Sequence, residues 1–131
     1  MITKPATAQT LCIRSGALLA GLAVIAGAFG AHGLKDVLSP ADLDIYEKAV
    51  RYQMYHAFGL LFCGVTAAKL RRPRLVAHSF LWGTVIFSGS LYLLVLTGVR
   101  KFGMITPIGG LLMILGWLAL TFGFGHRDCD E

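Results

Sequence analysis

Ser15 to Leu34 reads SGALLAGLAVIAGAFGAHGL, and within it only Lys- and Arg-free, Asp- and Glu-free sequence is found. A helix rises about 1.5 Å per residue, so twenty such residues reach across a hydrocarbon core of about 30 Å. A secretory leader is the rival reading, with Arg14 as basic flank and Ala26-Gly27-Ala28 resembling a cleavage site. The apolar stretch is long for a leader, which favours a retained transmembrane helix.

Working outward, the next segment is compound. Ser39-Pro40-Ala41-Asp42 has the form of a helix start, with Ser39 as N-cap, Pro40 in the first turn and Asp42 closing a capping box. Asp44/Lys48 and Glu47/Arg51 are i,i+4 pairs in the favourable order. From Tyr52 to Ala68 the chain is nearly apolar, interrupted by Gln53 and His56. The pattern predicts one helix over about Pro40–Leu70, its first turns amphipathic and outside the bilayer. Tyr52 and Tyr55 suit the interface. A third apolar segment covers about 75–97. A fourth covers about 106–124, starting with Thr106 as a cap followed by Pro107. The connections are short, which makes consecutive helices antiparallel neighbours. The expected fold is therefore an all-α membrane protein. It is a four-transmembrane-helix antiparallel bundle with an amphipathic extension at the start of helix two. Residues 1–14 form an N-terminal tail, 15–124 the membrane domain (spans about 15–34, 52–70, 75–97 and 106–124), and 125–131 a C-terminal tail.

Composition agrees. Of 131 residues 56% are hydrophobic and 15% charged, against about a quarter charged in soluble domains. The net charge of +5 comes from residues flanking apolar runs, which points to membrane orientation and anionic lipid rather than to nucleic acid. Lys69, Arg71, Arg72 and Arg74 share a side with both termini in a four-span chain. With Lys4, Arg14 and Arg127 they make seven basic residues, against five on the other side: Lys35, Lys48, Arg51, Arg100 and Lys101. The positive-inside rule then puts both termini and the Arg71 loop in the cytoplasm. Cys12, Cys63 and Cys129 lack zinc-ligand spacing, and no disulfide is expected.

Helices in lipid associate through small residues. Stripes of them occur at Gly16, Ala20, Ala23, Gly27 and Gly30; at Gly59, Cys63 and Thr66; at Gly83, Ser90 and Thr97; and at Gly109, Gly116 and Gly123. They are expected to line the seams of the bundle.

Several short motifs occur together. They are Gly27-Ala28-Phe29-Gly30-Ala31-His32-Gly33, Tyr52-Gln53-Met54-Tyr55-His56-Ala57, Phe87-Ser88-Gly89-Ser90-Leu91-Tyr92 and Ile105-Thr106-Pro107-Ile108-Gly109-Gly110, with Gly116-Trp117 beyond. In this order, over roughly residues 12–124, the chain resembles the YgdD-like inner-membrane family, also called UPF0382 or domain of unknown function 423. The resemblance implies a small four-span protein, mostly of bacterial inner membranes with relatives in eukaryotic organelles. It implies no activity.

The candidate polar residues are His32, His56, Ser88, Tyr92 and Thr106. His32 and His56 are expected near one membrane face, and an ionisable residue in a span is a functional candidate by default. Two histidines lack the ligands of a zinc site, so no metal is expected, and no cofactor. Thr84, Ser88 and Tyr92 form an i,i+4 line, but a serine without a base and an orienting group is no nucleophile. Helix–helix hydrogen bonding accounts for these residues more simply. Glu47, Arg51, Arg71, Arg72 and Arg74 are candidate surface contacts. The expectation is a non-enzymatic membrane protein acting through protein or lipid contacts, its partners being the bilayer and a second copy or another membrane protein. The alternative is a small oligomeric transporter or channel using His56 and Ser88 or Tyr92. A membrane enzyme ranks third, and it requires His56, Ser88 and Tyr92 to meet in one pocket.

Overall fold

A computed structural model describes residues 5–125. Four α-helices run through it: α1 (Pro5–His32), α2 (Pro40–Thr66), α3 (Pro73–Thr97) and α4 (Thr106–Gly123). No strand is formed among the described residues. Three stretches are long and apolar enough to cross a membrane: Thr7–His32, Pro73–Thr97 and Arg100–Gly123.

Each start has a local cause. Pro40 lies in the first turn of α2, and Ser39 Oγ accepts from the Asp42 amide at 3.1 Å. The Asp42 carboxylate does not complete a box. It accepts from Arg100 Nη1 at 3.0 Å, tying α2's first turn to the loop before α4. Pro73 begins α3. That helix ends at Gly98, whose φ of +72° is open to glycine at little cost and whose amide returns to Leu94 O at 2.9 Å.

Three boundaries differ from the sequence expectation. Residues 1–14 are not a tail throughout, because α1 is helical from Pro5. Ala8 and Cys12 are buried and continue the inward face of Gly16, Leu19 and Ala23 upstream. The second helix does not reach Leu70. It tightens to a 3₁₀ turn at Ala67–Lys69, and Leu70 extends to pair with Phe124. The Arg71 amide donates to Gly123 O at 2.9 Å and the Gly125 amide to Lys69 O at 3.2 Å, so the basic loop is fastened to the end of α4. Thr106 makes no capping bond; Ile105 is the N-cap. Most of the C-terminal tail, with Arg127 and Cys129, lies outside the described residues, as does Lys4.

α2 and α3 form the middle of the bundle, with α1 packed on α2 and α4 on α3. The small-residue stripes lie in the seams over most of their length, but Thr97 is exposed and a Cβ on Gly123 would meet nothing within 4 Å. Gly109 is so close to α3 that an added Cβ would stand 2.8 Å from Gly83 O, and one on Gly116 would stand 2.6 Å from the Phe80 ring. On the other side, a Cβ at Gly16 would meet Ala57 O at 2.9 Å. Such close approach lets dispersion and backbone contacts hold helices for which lipid supplies no hydrophobic drive. One apolar cluster joins Cys12, Leu19, Ala57, Leu60, Cys63 and Phe80; a second, toward the other end, joins Leu34, Tyr46, Leu94 and Val95.

Candidate functional site

The polar side chains around the middle of α2 separate into two groups, one toward α4 and one toward α1 and α3. The first surrounds His56, which is 5% exposed. The indole Nε1 of Trp117 donates to His56 Nε2 at 3.0 Å. Nε2 must then be unprotonated, so the ring proton sits on Nδ1 and is donated to Tyr52 O, 2.8 Å away. Phe80 and Trp117 meet the imidazole edge-on, with centroids at 5.6 and 5.7 Å. Both nitrogens of a neutral imidazole are thus satisfied in a dry aromatic setting.

His32 does not join it. Gln53 is level with Leu19 on α1, through a 2.9 Å bond from its Nε2 to Leu19 O. His32 lies thirteen residues further along α1, roughly 20 Å at the helical rise, and is exposed. The expectation of a histidine pair is therefore corrected: α2 passes the His32 level near its own start, several turns before His56. Among the described residues no three His, Cys, Asp or Glu side chains gather closely enough to hold a metal ion.

The second group faces α1 and α3. Tyr92 OH donates to Gln53 Oε1 at 2.8 Å, Ser88 Oγ to Ala49 O at 2.7 Å, and Tyr46 OH to Ala26 O at 2.6 Å. Tyr46 and Tyr92 pack with ring centroids 5.3 Å apart. Gln53, Thr84, Ser88 and Tyr92 form the floor of a cavity of about 430 Å³ between α1 and α3. Its walls include Leu19, Leu22, Ile25, Phe29 and Val85. His56 is not in it, so His56, Ser88 and Tyr92 do not converge as an acid–base set. Thr106 Oγ1 lies 2.6 Å from Ser90 Oγ and links α3 to α4.

The chain's middle matches the model of a protein family of unknown function, DUF423, over residues 26–110. It belongs to that family. Relatives of the family named UPF0382 membrane proteins are closely similar. The one in Staphylococcus saprophyticus is 51% identical over 109 residues, covering 82% of this chain and 91% of the relative. That of Staphylococcus haemolyticus is 51% identical over 118 residues, covering 87% and 97%. In Staphylococcus aureus the figure is 48% over 118 residues, again 87% and 97%. No solved structure matches. The UPF0382 resemblance drawn from the short motifs is thus upheld, with relatives known as membrane proteins of an uncharacterised family.

The charged candidates lie at the two ends of the bundle. Glu47 and Arg51 are exposed and border a cavity of about 260 Å³ with Gly27, Gly30 and Tyr46. They do not form the expected ion pair; among the described residues only Asp44–Lys48, at 3.9 Å, and Asp42–Arg100 do. Arg74 Nη2 donates to Thr7 Oγ1 at 3.0 Å, and so is spent on α1. Arg71 and Arg72 are exposed beside an apolar groove containing Leu75, Leu115 and Phe122.

Sequence reasoning passed over Gln53 and Thr84 as site residues, Trp117 as the partner of His56, and the Cys12–Cys63 contact, with sulfurs 3.4 Å apart. Gln53 had a readable signal: a lone carboxamide in an apolar run one turn before His56 must find a partner or pay desolvation.

Proposed function

We propose that this chain is a four-span protein of the bacterial inner membrane that has no enzymatic activity and acts through contacts with lipid and with other membrane proteins, copies of itself included. The observation that carries this reading is the use made of its intramembrane polar groups. His56, Gln53, Ser88, Tyr92 and Thr106 each bond a neighbouring helix or their own, as glue does. None is left poised as a base, nucleophile or relay.

In this reading α2 supplies the fourth span. Its charged residues end at Arg51, and the run to Ala68 presents Phe58, Phe62 and Val65 outward while burying Ala57, Leu60 and Cys63 against α1 and α3. The first turns from Pro40 then form the amphipathic extension outside the bilayer, and the helix enters the bilayer before Ala49, whose carbonyl accepts from Ser88 on α3. Both termini and the Arg71 loop are cytoplasmic. Thiol labelling of single cysteines placed at Asp44 and Arg72, in a chain lacking native cysteines, tests this. Labelling from opposite membrane faces is expected; labelling from the same face refutes a spanning α2.

The contact role is tested by mild extraction into nanodiscs followed by native mass spectrometry. A retained copy, partner or lipid is expected, and a bare monomer in every preparation refutes it. The α1–α3 cavity, with Ser88 and Tyr92 in its floor, supports transport as a second reading. Absence of any ion or solute flux in vesicles carrying the wild-type chain rules that out.

A further inference from the structure

Thr66, Thr97 and Thr121 each donate their hydroxyl to the carbonyl four residues earlier, Phe62, Leu93 and Trp117 respectively. That is where a helical threonine ordinarily bonds. Thr84 departs from the habit. It is 1% exposed, and its Oγ1 is buried with no hydrogen-bond partner. A hydroxyl in an apolar interior is costly unless something meets it, and an orphan in a membrane bundle has no water to turn to.

Thr84 lines the cavity between α1 and α3. At about 430 Å³, the space falls within the range of small-ligand sites, which are mostly apolar with a few converging polar groups. No charged side chain lines it, so a phosphate or ammonium head group has nothing to hold it. Thr84 is the twelfth residue of the 25-residue α3, close to mid-bilayer depth when that helix spans. Lipid head groups are excluded from that depth by the thickness of the hydrocarbon core. The neighbouring polar groups are already engaged: Gln53 and Tyr92 with each other, Ser88 with Ala49. The free group is a hydroxyl that can donate or accept, and its one unspent proton is met by a neutral acceptor atom on the ligand.

We infer that the α1–α3 cavity binds a neutral, lipid-dissolved molecule carrying a carbonyl oxygen, to which the Thr84 hydroxyl donates after turning about χ1 toward the cavity. Two sources share this chemistry, a prenylated quinone and a diacylglycerol. The depth of Thr84 favours the quinone, whose carbonyls travel with the apolar ring rather than with an interfacial head. The inference rests on the lipid-contact reading above and names the class of lipid; that broader reading stands or falls separately, by what is retained in mild extraction.

Gly89 makes the test clean. It borders the cavity, and a Cβ there would have nothing within 4 Å, so Gly89→Phe fills the space without straining the seam. Thr84→Val keeps the shape and removes the donor. The full chain in phosphatidylcholine nanodiscs is illuminated with a photoreactive prenylated naphthoquinone, and labelled peptides are mapped by mass spectrometry. Saturable labelling of α1 and α3 is expected, with roughly five- to tenfold weaker affinity in Thr84→Val, the worth of one hydrogen bond, and none in Gly89→Phe. Without ligand, Thr84→Val should melt no lower than wild type, because it removes an unmet hydroxyl. Competition by dioleoylglycerol would assign the same site to ester carbonyls; indifference to it would assign the site to the quinone. Labelling that is unsaturable, or unchanged in both variants, overturns the inference.

Discussion

Trp117 on α4 donates its indole hydrogen to His56 on α2, 3.0 Å away, across a gap that no other side-chain hydrogen bond crosses among the described residues. α4 otherwise leans on α3. The pair sits against Phe80, whose ring is 4.7 Å from that of Trp117, so the bond is made in a medium that strengthens it and punishes its loss. It turns the histidine from a candidate proton carrier into a fixed link.

Trp117→Phe should therefore leave His56 Nε2 unmet and lower stability by about 1–3 kcal/mol. His56→Ala removes the other half and strands the indole N–H. Thermal unfolding of the two single variants and the double in one detergent gives a coupling energy. A coupling of about 1 kcal/mol is expected; additive losses would mean that the two rings merely pack. Neither variant should change an ion leak through vesicles, since the imidazole is neutral and dry.

Gly109 and Gly21 should behave oppositely when changed to alanine. A methyl at Gly109 would fall against the Phe87 amide and stand 2.8 Å from Gly83 O. These are backbone atoms that cannot turn aside, so α3 and α4 must part. The loss should reach the upper range for overpacking, about 1–3 kcal/mol or more. Gly21 sits in α1 with nothing within 4 Å of a new Cβ, so Gly21→Ala should be neutral or gain up to ~1 kcal/mol from helix propensity. Melting temperatures in detergent decide it, and equal losses at both sites would contradict the seam.

The seams and helix order were legible in the chain because their causes are local. Twenty apolar residues, a proline after a cap, and small residues at sevens each act within one segment. Gly83, Ser90, Gly109 and Gly116 are buried where that spacing puts them. What escaped was relative height. His32 and His56 look like neighbours when helices are drawn as equal rods. The Leu19–Gln53 bond instead sets α1 against α2 so that the histidines stand several turns apart. The roles of Thr84 and Thr106 were equally hidden. Whether a helical hydroxyl bonds its own carbonyl, another helix or nothing depends on the facing surface, which no intrahelical spacing encodes. The start of α1 was misjudged for a related reason: Cys12 looks like a tail residue until α2 brings Cys63 against it.

Cys12 and Cys63 are buried free thiols whose sulfurs lie 3.4 Å apart. A disulfide needs about 2.05 Å, so a modest side-chain rotation brings them into range. In a Cys129→Ser chain, a membrane-permeant oxidant such as diamide should join α1 to α2 within one molecule. The readout is a faster band on a non-reducing gel that dithiothreitol restores and Cys12→Ser abolishes. A crosslink only between molecules would show that the two helices do not face as described.

Gln53 hydrogen-bonds both neighbours of α2 through its side chain. Its Nε2 donates to Leu19 O on α1, and its Oε1 accepts from Tyr92 OH on α3. Gln53→Leu keeps the approximate volume but strands the tyrosine hydroxyl in a half-buried site, and should cost about 1–3 kcal/mol. Tyr92→Phe strands only the carboxamide oxygen while leaving the bond to Leu19, and should cost less. Once Tyr92 is phenylalanine, adding Gln53→Leu should cost less than it does alone, because one unmet partner has already gone. Intramembrane polar bonds average well under 2 kcal/mol, so a loss far above that in Gln53→Leu would mean the side chain holds up something larger, the wall of the α1–α3 cavity above all. Comparing the melting of the three variants with their photolabelling separates the two: glue alone lowers stability in step with labelling, whereas a cavity wall loses labelling in Gln53→Leu at temperatures where the bundle is still folded.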